Sequence, residues 1–288
     1  MRSEQEMFDL IINTARSDDR IRAVTMNGSR ANPDAPRDIF QDFDVVYFVT
    51  DVASFKKKPA WIDRFGERMI LQLPDNMEDP PPSDDEGFAY LMQFADGNRI
   101  DLTICPLDKV KERTDDSMTL LLLDKDGIVG SIPAASDKDY WPRPPSAKAF
   151  ADCCNEFWWC GPYVAKGLWR GEITYAKYML EVVRDQLMKM MAWYIGVKTG
   201  FGVNPGKMGK YFQKHLEPDL WDLLLGTYSD SNVENTWEAL FTMGTLFGRV
   251  AARVADHLGY VYPQGDADRV SAHLRHVRQL SRDAEEIY

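Results

Sequence analysis

Three aspartates carry the chemistry that stands out in this 288-residue sequence. Asp42 and Asp44 flank Phe43 at the head of DFDVVYFV, a run rich in β-branched and aromatic residues that reads as a strand. Alternate side chains of an extended chain share a face, so Asp42 and Asp44 project together while Phe43, Val45, Tyr47 and Val49 turn the other way. Carboxylates held this close repel unless something compensates them, and one or two divalent cations are the simplest compensation. The bland reading is a capping or surface pair. In RIDLTI, Ile100, Leu102 and Ile104 face one side and Asp101 with Thr103 the other. A carboxylate on an otherwise apolar strand is costly to bury without a partner. If that strand lies beside the first, Asp101 completes a cup of hard oxygen ligands suited to magnesium, with manganese as the alternative.

Gly28-Ser29, at the end of the strand candidate IRAVTM, offers a second half to such a site. Glycine lets a backbone approach a phosphate closely, and Ser29 with the following N–H groups can donate to it at the start of a helix. An ordinary helix cap is the other reading of Ser29. Arg30 adds positive charge whose direction the sequence leaves open. Lys177, on the polar side of a long helix, is either a phosphate ligand or a solvated lysine. NPGKMGK has glycines and charge without the spacing of a P-loop. The four histidines form no ligand set, and His273 with His276 reads as an exposed helical pair.

The elements that must position these residues change character midway. A helix is expected from residue 4 to about 15, with Phe8, Ile11, Ile12 and Ala15 on one face. Strands follow at 21–26 and 42–49, a lysine-bearing helix around 51–65, and a short strand at 69–73. Residues 74–86, rich in proline and acid, read as a surface loop. FAYLMQF and RIDLTIC flank Ala95-Asp96-Gly97-Asn98, a strong hairpin signal. From about residue 146 the period becomes helical. Over 171–196, Tyr175, Tyr178, Met179, Val182, Leu187, Met190, Met191 and Tyr194 recur at the intervals of a buried helical stripe, and further helices are expected at 232–257 and 266–281. The proline-rich DKDYWPRPPS lies between the two patterns. The expected architecture is an α/β domain with a mixed sheet over 1–140, followed by an all-helical domain over 141–288.

The formal net charge of -11 argues against a nucleic acid held by its phosphates, which calls for a basic footprint. A cationic small molecule or a metal-bridged phosphate suits it better. Acidic residues interrupt the N-terminus before a signal peptide could form, and no apolar run reaches the length of a membrane span, so a cytoplasmic protein without membrane attachment is expected. Cys105, Cys153, Cys154 and Cys160 lack paired zinc-site spacing and read as structural thiols.

Gly28-Ser29, a twelve-residue interval, Asp42-x-Asp44 and then Asp101 resemble the signature of the DNA-polymerase-beta-like nucleotidyltransferase superfamily. VTMNGSRANPDAPRDIFQDFDVVYFV, WIDRFGERMILQLPD, KDYWPRPPS, NEFWWCGPYVAKGLWRGE and KTGFGVNPGKMGKYF are similar to the bacterial aminoglycoside 6-adenylyltransferases, so the resemblance spans nearly the whole chain. It implies transfer of AMP from ATP to the 6-hydroxyl of streptomycin, release of pyrophosphate, and a part in antibiotic resistance. It further implies metal binding by Asp42 and Asp44 on two ions and by Asp101 on the ion that activates the acceptor hydroxyl, with proton acceptance by Asp101 as a further option. ATP contacts would fall to Gly28 and Ser29, with Arg30 and Lys177 as further candidates. Streptomycin carries two guanidinium groups, so carboxylates and aromatic faces should meet it, and Glu156, Trp158, Trp159, Trp169 and Glu172 are candidates. Core packing and surface charge are their other reading. A nucleotidyltransferase acting on another small molecule or a nucleic-acid end would use the same aspartates, and a non-catalytic nucleotide-binding module is the alternative of another class.

Overall fold

The computed structural model describes residues 1–80, 83 and 87–288, and the chain divides into two units, Met1–Asp139 and Tyr140–Tyr288. The first is built on six strands: β1 (Ile21–Asn27), β2 (Phe43–Val49), β3 (Arg68–Gln72), β4 (Phe88–Phe94), β5 (Arg99–Pro106) and β6 (Leu120–Asp124). They lie in the order β3-β4-β5-β2-β1-β6. β2 and β5 are parallel, and the other neighbouring strands are antiparallel, so the sheet is mixed.

Strand alternation gives the sheet two unlike faces. Phe43, Val45, Tyr47, Ile100, Leu102 and Ile104 join the larger core of this unit, together with Met7, Ile11 and Ala15 of helix α1 (Glu4–Ser17). A capping box starts α1: Ser3 and Glu6 exchange side-chain to backbone hydrogen bonds. The Tyr47 hydroxyl donates to the Ile11 carbonyl at 2.6 Å, and Phe8 meets Phe43 edge-on. Among the described residues, the opposite face carries a small apolar cluster around Val46, Phe48, Cys105 and Val110. Its other end is left to Asp44, Asp101 and Thr103.

The hairpin expected at Ala95–Asn98 joins β4 to β5, closed by the Phe94 N–H donating to the Asn98 carbonyl at 2.9 Å. Gly97 takes a positive φ of 90° in that turn, where a side chain would be strained. Asp96 accepts from the Arg2 backbone N–H at 3.0 Å and from Arg2 Nε at 2.7 Å, tying the N-terminus to the turn that launches β5.

The helix expected around 51–65 is broken into α3 (Ala53–Lys56) and a 3-10 turn, Pro59–Phe65. Pro59 cannot donate an N–H and drives Lys58 out of the helical region, to φ -130° and ψ 70°. β6 went unread because a run of leucines has no alternation to mark it as a strand. Within the loop expected over 74–86, Pro74–Met77 forms a 3-10 turn, and residues 81, 82 and 84–86 lie outside the described residues.

In the second unit, α5 (Ala147–Arg170), α6 (Ile173–Thr199), α7 (Phe212–His215), α8 (Pro218–Gly226), α9 (Val233–Leu258) and α10 (Gln264–Gln279) enclose one core. Ser146 and Asn232 cap α5 and α9 with their side chains, and Gly171, Gly200 and Gly259 end α5, α6 and α9 in the left-handed region. The stripe proposed for α6 is met in part: Leu187, Met190, Met191 and Tyr194 are buried and Met179 and Val182 pack half-buried against the core, whereas Tyr175 and Tyr178 are exposed and Ala176, Leu180 and Val183 complete the buried face. At Gly167 an added Cβ would come 2.9 Å from the Tyr175 Cδ1 and 3.0 Å from the Ala176 Cβ. Gly167 and Ala176 let α5 and α6 approach closely there, with the Tyr175 ring against Gly167. No helix among the described residues is long and apolar enough to cross a membrane.

Candidate active site

The parallel pairing of β2 with β5 sets Asp44 directly opposite Asp101, and the antiparallel pairing of β1 with β2 sets Asn27 opposite Asp44 on its other side. Asp42 precedes β2 by one residue and shares the face of Asp44. One carboxylate oxygen from each of Asp42, Asp44 and Asp101 lies within 4.8 Å of the others, and all three residues are half-buried. Three like charges at this separation form a hard-oxygen cup that fits a divalent cation such as Mg2+.

Gly28 begins α2 (Gly28–Ala31) beneath this cup. Its φ is 72°, and a Cβ placed on it would fall 2.0 Å from Asp44 Oδ2. Backbone and carboxylate therefore touch where any side chain would intrude. Ser29 follows at the first turn, half-buried, its carbonyl accepting from Gln41 Nε2 at 3.3 Å.

Arg30, whose direction the sequence leaves open, is turned into the protein. Its guanidinium is buried: Nε donates to the Asp42 carbonyl at 3.1 Å, Nη2 to the Gln41 carbonyl at 2.6 Å and Nη1 to Glu4 at 2.6 Å, while the group lies over the Phe43 ring. These bonds direct its charge into the chain that carries Asp42.

Arg99, to which the sequence reading gave no part, enters the cup. Its Nε donates to Asp101 Oδ1 and its Nη2 to Asp101 Oδ2, both at 2.7 Å, and its Nε lies 4.0 Å from Asp42 Oδ2. The Asp101 hydrogen bonds, followed by the charges of Asp101, Asp42 and Asp44, raise the Arg99 pKa against the opposing effect of burial. The signal was present in RID: period two places residue 99 on the same face as residue 101.

Beyond the aspartates, the same face opens into a cavity of about 410 Å³ lined in part by Asp44, Asp101 and Thr103. Glu112, Arg113 and Asp116, from and just after α4 (Val110–Thr114), form its far wall. They too were missed, since only the return of the chain after β5 brings this charged stretch over the sheet.

The remaining candidates belong to the helical unit. Lys177 Nζ donates to Ser229 O at 2.8 Å, Ser229 Oγ at 2.9 Å and Asp230 O at 3.1 Å, which engages it with the turn before α9. Trp158 is buried, edge-on to Phe157 and Phe247, with its Nε1 donating to the Tyr262 hydroxyl. Trp159 is 63% exposed, and the two tryptophans border a cavity of about 500 Å³ that also includes Asp266. Trp169 borders another cavity, of about 430 Å³, and its Nε1 donates to the carbonyls of Leu280 and Ser281. Glu156 accepts from Cys160 Sγ one turn on, and Glu172 precedes α6 without making a capping hydrogen bond. Thus the five acceptor candidates do not line one cavity. All four cysteines are buried and unbridged, and burial pushes the thiols of Cys153 and Cys154 up to about 12.

Comparison with known proteins matches residues 1–277 to the family model described as streptomycin adenylyltransferase. An aminoglycoside 6-adenylyltransferase of Bacillus subtilis is 42% identical over 92% of this chain and 95% of its own length. One from Campylobacter jejuni is 44% identical over 98% and 97%, and one from Staphylococcus aureus is 34% identical over 91% and 94%. With its three aspartates gathered at the edge of β2 and β5 and a family match reaching through both units, the chain belongs to the streptomycin adenylyltransferase family, a family of nucleotidyltransferase enzymes.

Proposed function

We propose that the protein transfers AMP from ATP to the 6-hydroxyl of streptomycin and releases pyrophosphate. The observation that carries this reading is the juxtaposition of Asp42, Asp44 and Asp101 over the close-packed Gly28 backbone. The names of the relatives support an aminoglycoside acceptor and a 6-position, and the family description supports streptomycin among aminoglycosides.

Asp42, Asp44 and Asp101 would hold two divalent ions, Mg2+ by preference. When bound, such ions supply charge neutralisation for the triphosphate and a lowered pKa for the acceptor hydroxyl. The work of the chain itself is positional. Gly28 and Ser29 bring backbone and hydroxyl donors to the phosphates, and Arg30 fixes the Asp42 backbone. Asp101 faces the cavity in which an acceptor hydroxyl would be aligned, and is our candidate to take its proton. The hydroxyl attacks the α-phosphorus in line, its new P–O bond replacing the bond to the departing pyrophosphate. Glu112 and Asp116, with Arg113 between them, give the cavity a wall of mixed charge, and its carboxylates are candidates to meet a guanidinium-bearing acceptor.

The test is the identity of the product. Streptomycin incubated with enzyme, ATP and Mg2+ should yield one adduct whose phosphorus couples to the proton at carbon 6 in NMR spectra. An adduct at another hydroxyl would remove the 6-position, and an adduct formed on other aminoglycosides but not streptomycin would remove the acceptor.

A further inference from the structure

The fork from Arg99 occupies both oxygens of Asp101, at 2.7 Å each, and its edge lies 4.0 Å from Asp42. A guanidinium therefore lies where the cup has most need of positive charge. Three carboxylates within 4.8 Å could not keep this arrangement uncompensated, so a cation that is part of the chain has a clear use before any ion arrives. The same charge becomes a liability afterwards. A divalent ion on Asp101 would share a carboxylate with a fixed cation, and like charges at that range repel.

The side chain is able to leave. Arg99 is 45% exposed at the first position of β5, so its head can turn to water without becoming a buried unpaired charge. Arg30 offers the contrast: it is 9% exposed, held by Glu4 and two carbonyls, and remains where it is. Arg99, unlike Arg30, is placed to move.

We propose that Arg99 is a positioning residue that holds the place of a divalent cation on Asp101 and yields that carboxylate when the ion binds. It keeps the metal-free cup in shape at the expense of metal affinity. The inference rests on the reading of Asp42, Asp44 and Asp101 as metal ligands, and it deepens that reading by assigning the site an internal competitor.

Binding of Mn2+ to the full-length, nucleotide-free protein, measured by electron paramagnetic resonance of the free ion, tests it. Arg99→Gln should bind Mn2+ about ten-fold more tightly than the wild type, because removing one charge beside a divalent ion favours the ion. Arg99→Lys keeps the charge and should stay within about three-fold of the wild type. Thermal unfolding supplies the second readout: without metal Arg99→Gln should melt below the wild type, and Mn2+ should raise its Tm by more. A merely structural arginine would give equal or weaker Mn2+ binding on removal, and that result overturns the proposal while leaving the metal site standing. Absence of Mn2+ binding in wild type and variant alike would overturn both.

Discussion

A Cβ added to Gly28 would lie 2.0 Å from Asp44 Oδ2, and the φ of Gly28 is 72°. Both facts forbid a side chain, for separate reasons. Gly28→Ala should cost about 1 to 2 kcal/mol of stability through the strained backbone. Its effect on turnover should be larger, at least about 100-fold, because Asp44 must move and small misplacements at a reacting centre are expensive. Denaturant unfolding beside steady-state kinetics checks this. An alanine variant with near-normal turnover would show that the contact has no part in the site.

Asp42→Asn and Asp44→Asn should each lower kcat by about 1,000-fold or more, as expected where a metal ligand supports charge development in phosphoryl transfer. Each side chain is partly exposed and each substitution relieves repulsion within the cup, so neither variant should lose stability. Circular dichroism melts alongside pyrophosphate release separate the two effects.

Arg30→Met removes the group that fixes the Gln41 and Asp42 carbonyls and leaves the apolar contact with Phe43 in part. The stranded carbonyls and Glu4 should lower stability by about 2 to 4 kcal/mol, the range for a buried partner removed from a hydrogen-bonded charge. Arg30→Lys should recover little of it, since an ammonium cannot span three acceptors held by a planar fork. Urea unfolding of both variants tests the assignment, and full rescue by lysine would count against it.

The Arg2 side chain and backbone N–H, with help from Asn98, hold Asp96 well below the usual carboxylate range. A carboxylate whose pKa is lower in the folded state contributes stability above its unfolded pKa, near 4, and loses it as pH falls through the folded value. Unfolding free energy should therefore decline below about pH 4, and Asp96→Asn should flatten part of that decline while costing about 1 kcal/mol at neutral pH, given the partial exposure of the pair. Parallel acid titrations of stability for wild type and variant provide the check.

The mixed α/β region followed by helices was legible because its signals are local: alternation in DFDVVYFV and RIDLTI, turn chemistry at Asp96-Gly97, and helical period after residue 146. The clustering of Asp42, Asp44 and Asp101 followed from alternation plus one assumption, that the two strands are neighbours, and their parallel register meets it. What stayed hidden depends on long-range packing. The direction of Arg30 is set in part by Glu4, twenty-six residues away. Glu112 and Asp116 reach the cavity through a chain reversal that leaves no periodic trace.

Pyrophosphate released by the protein from ATP and Mg2+, with and without streptomycin, decides the proposed reaction when the mass of the antibiotic is read afterwards. Release that depends on streptomycin, matched one for one by antibiotic heavier by an adenylyl group, is the predicted result. ATP binding without pyrophosphate release, or release that leaves streptomycin unmodified, would contradict it.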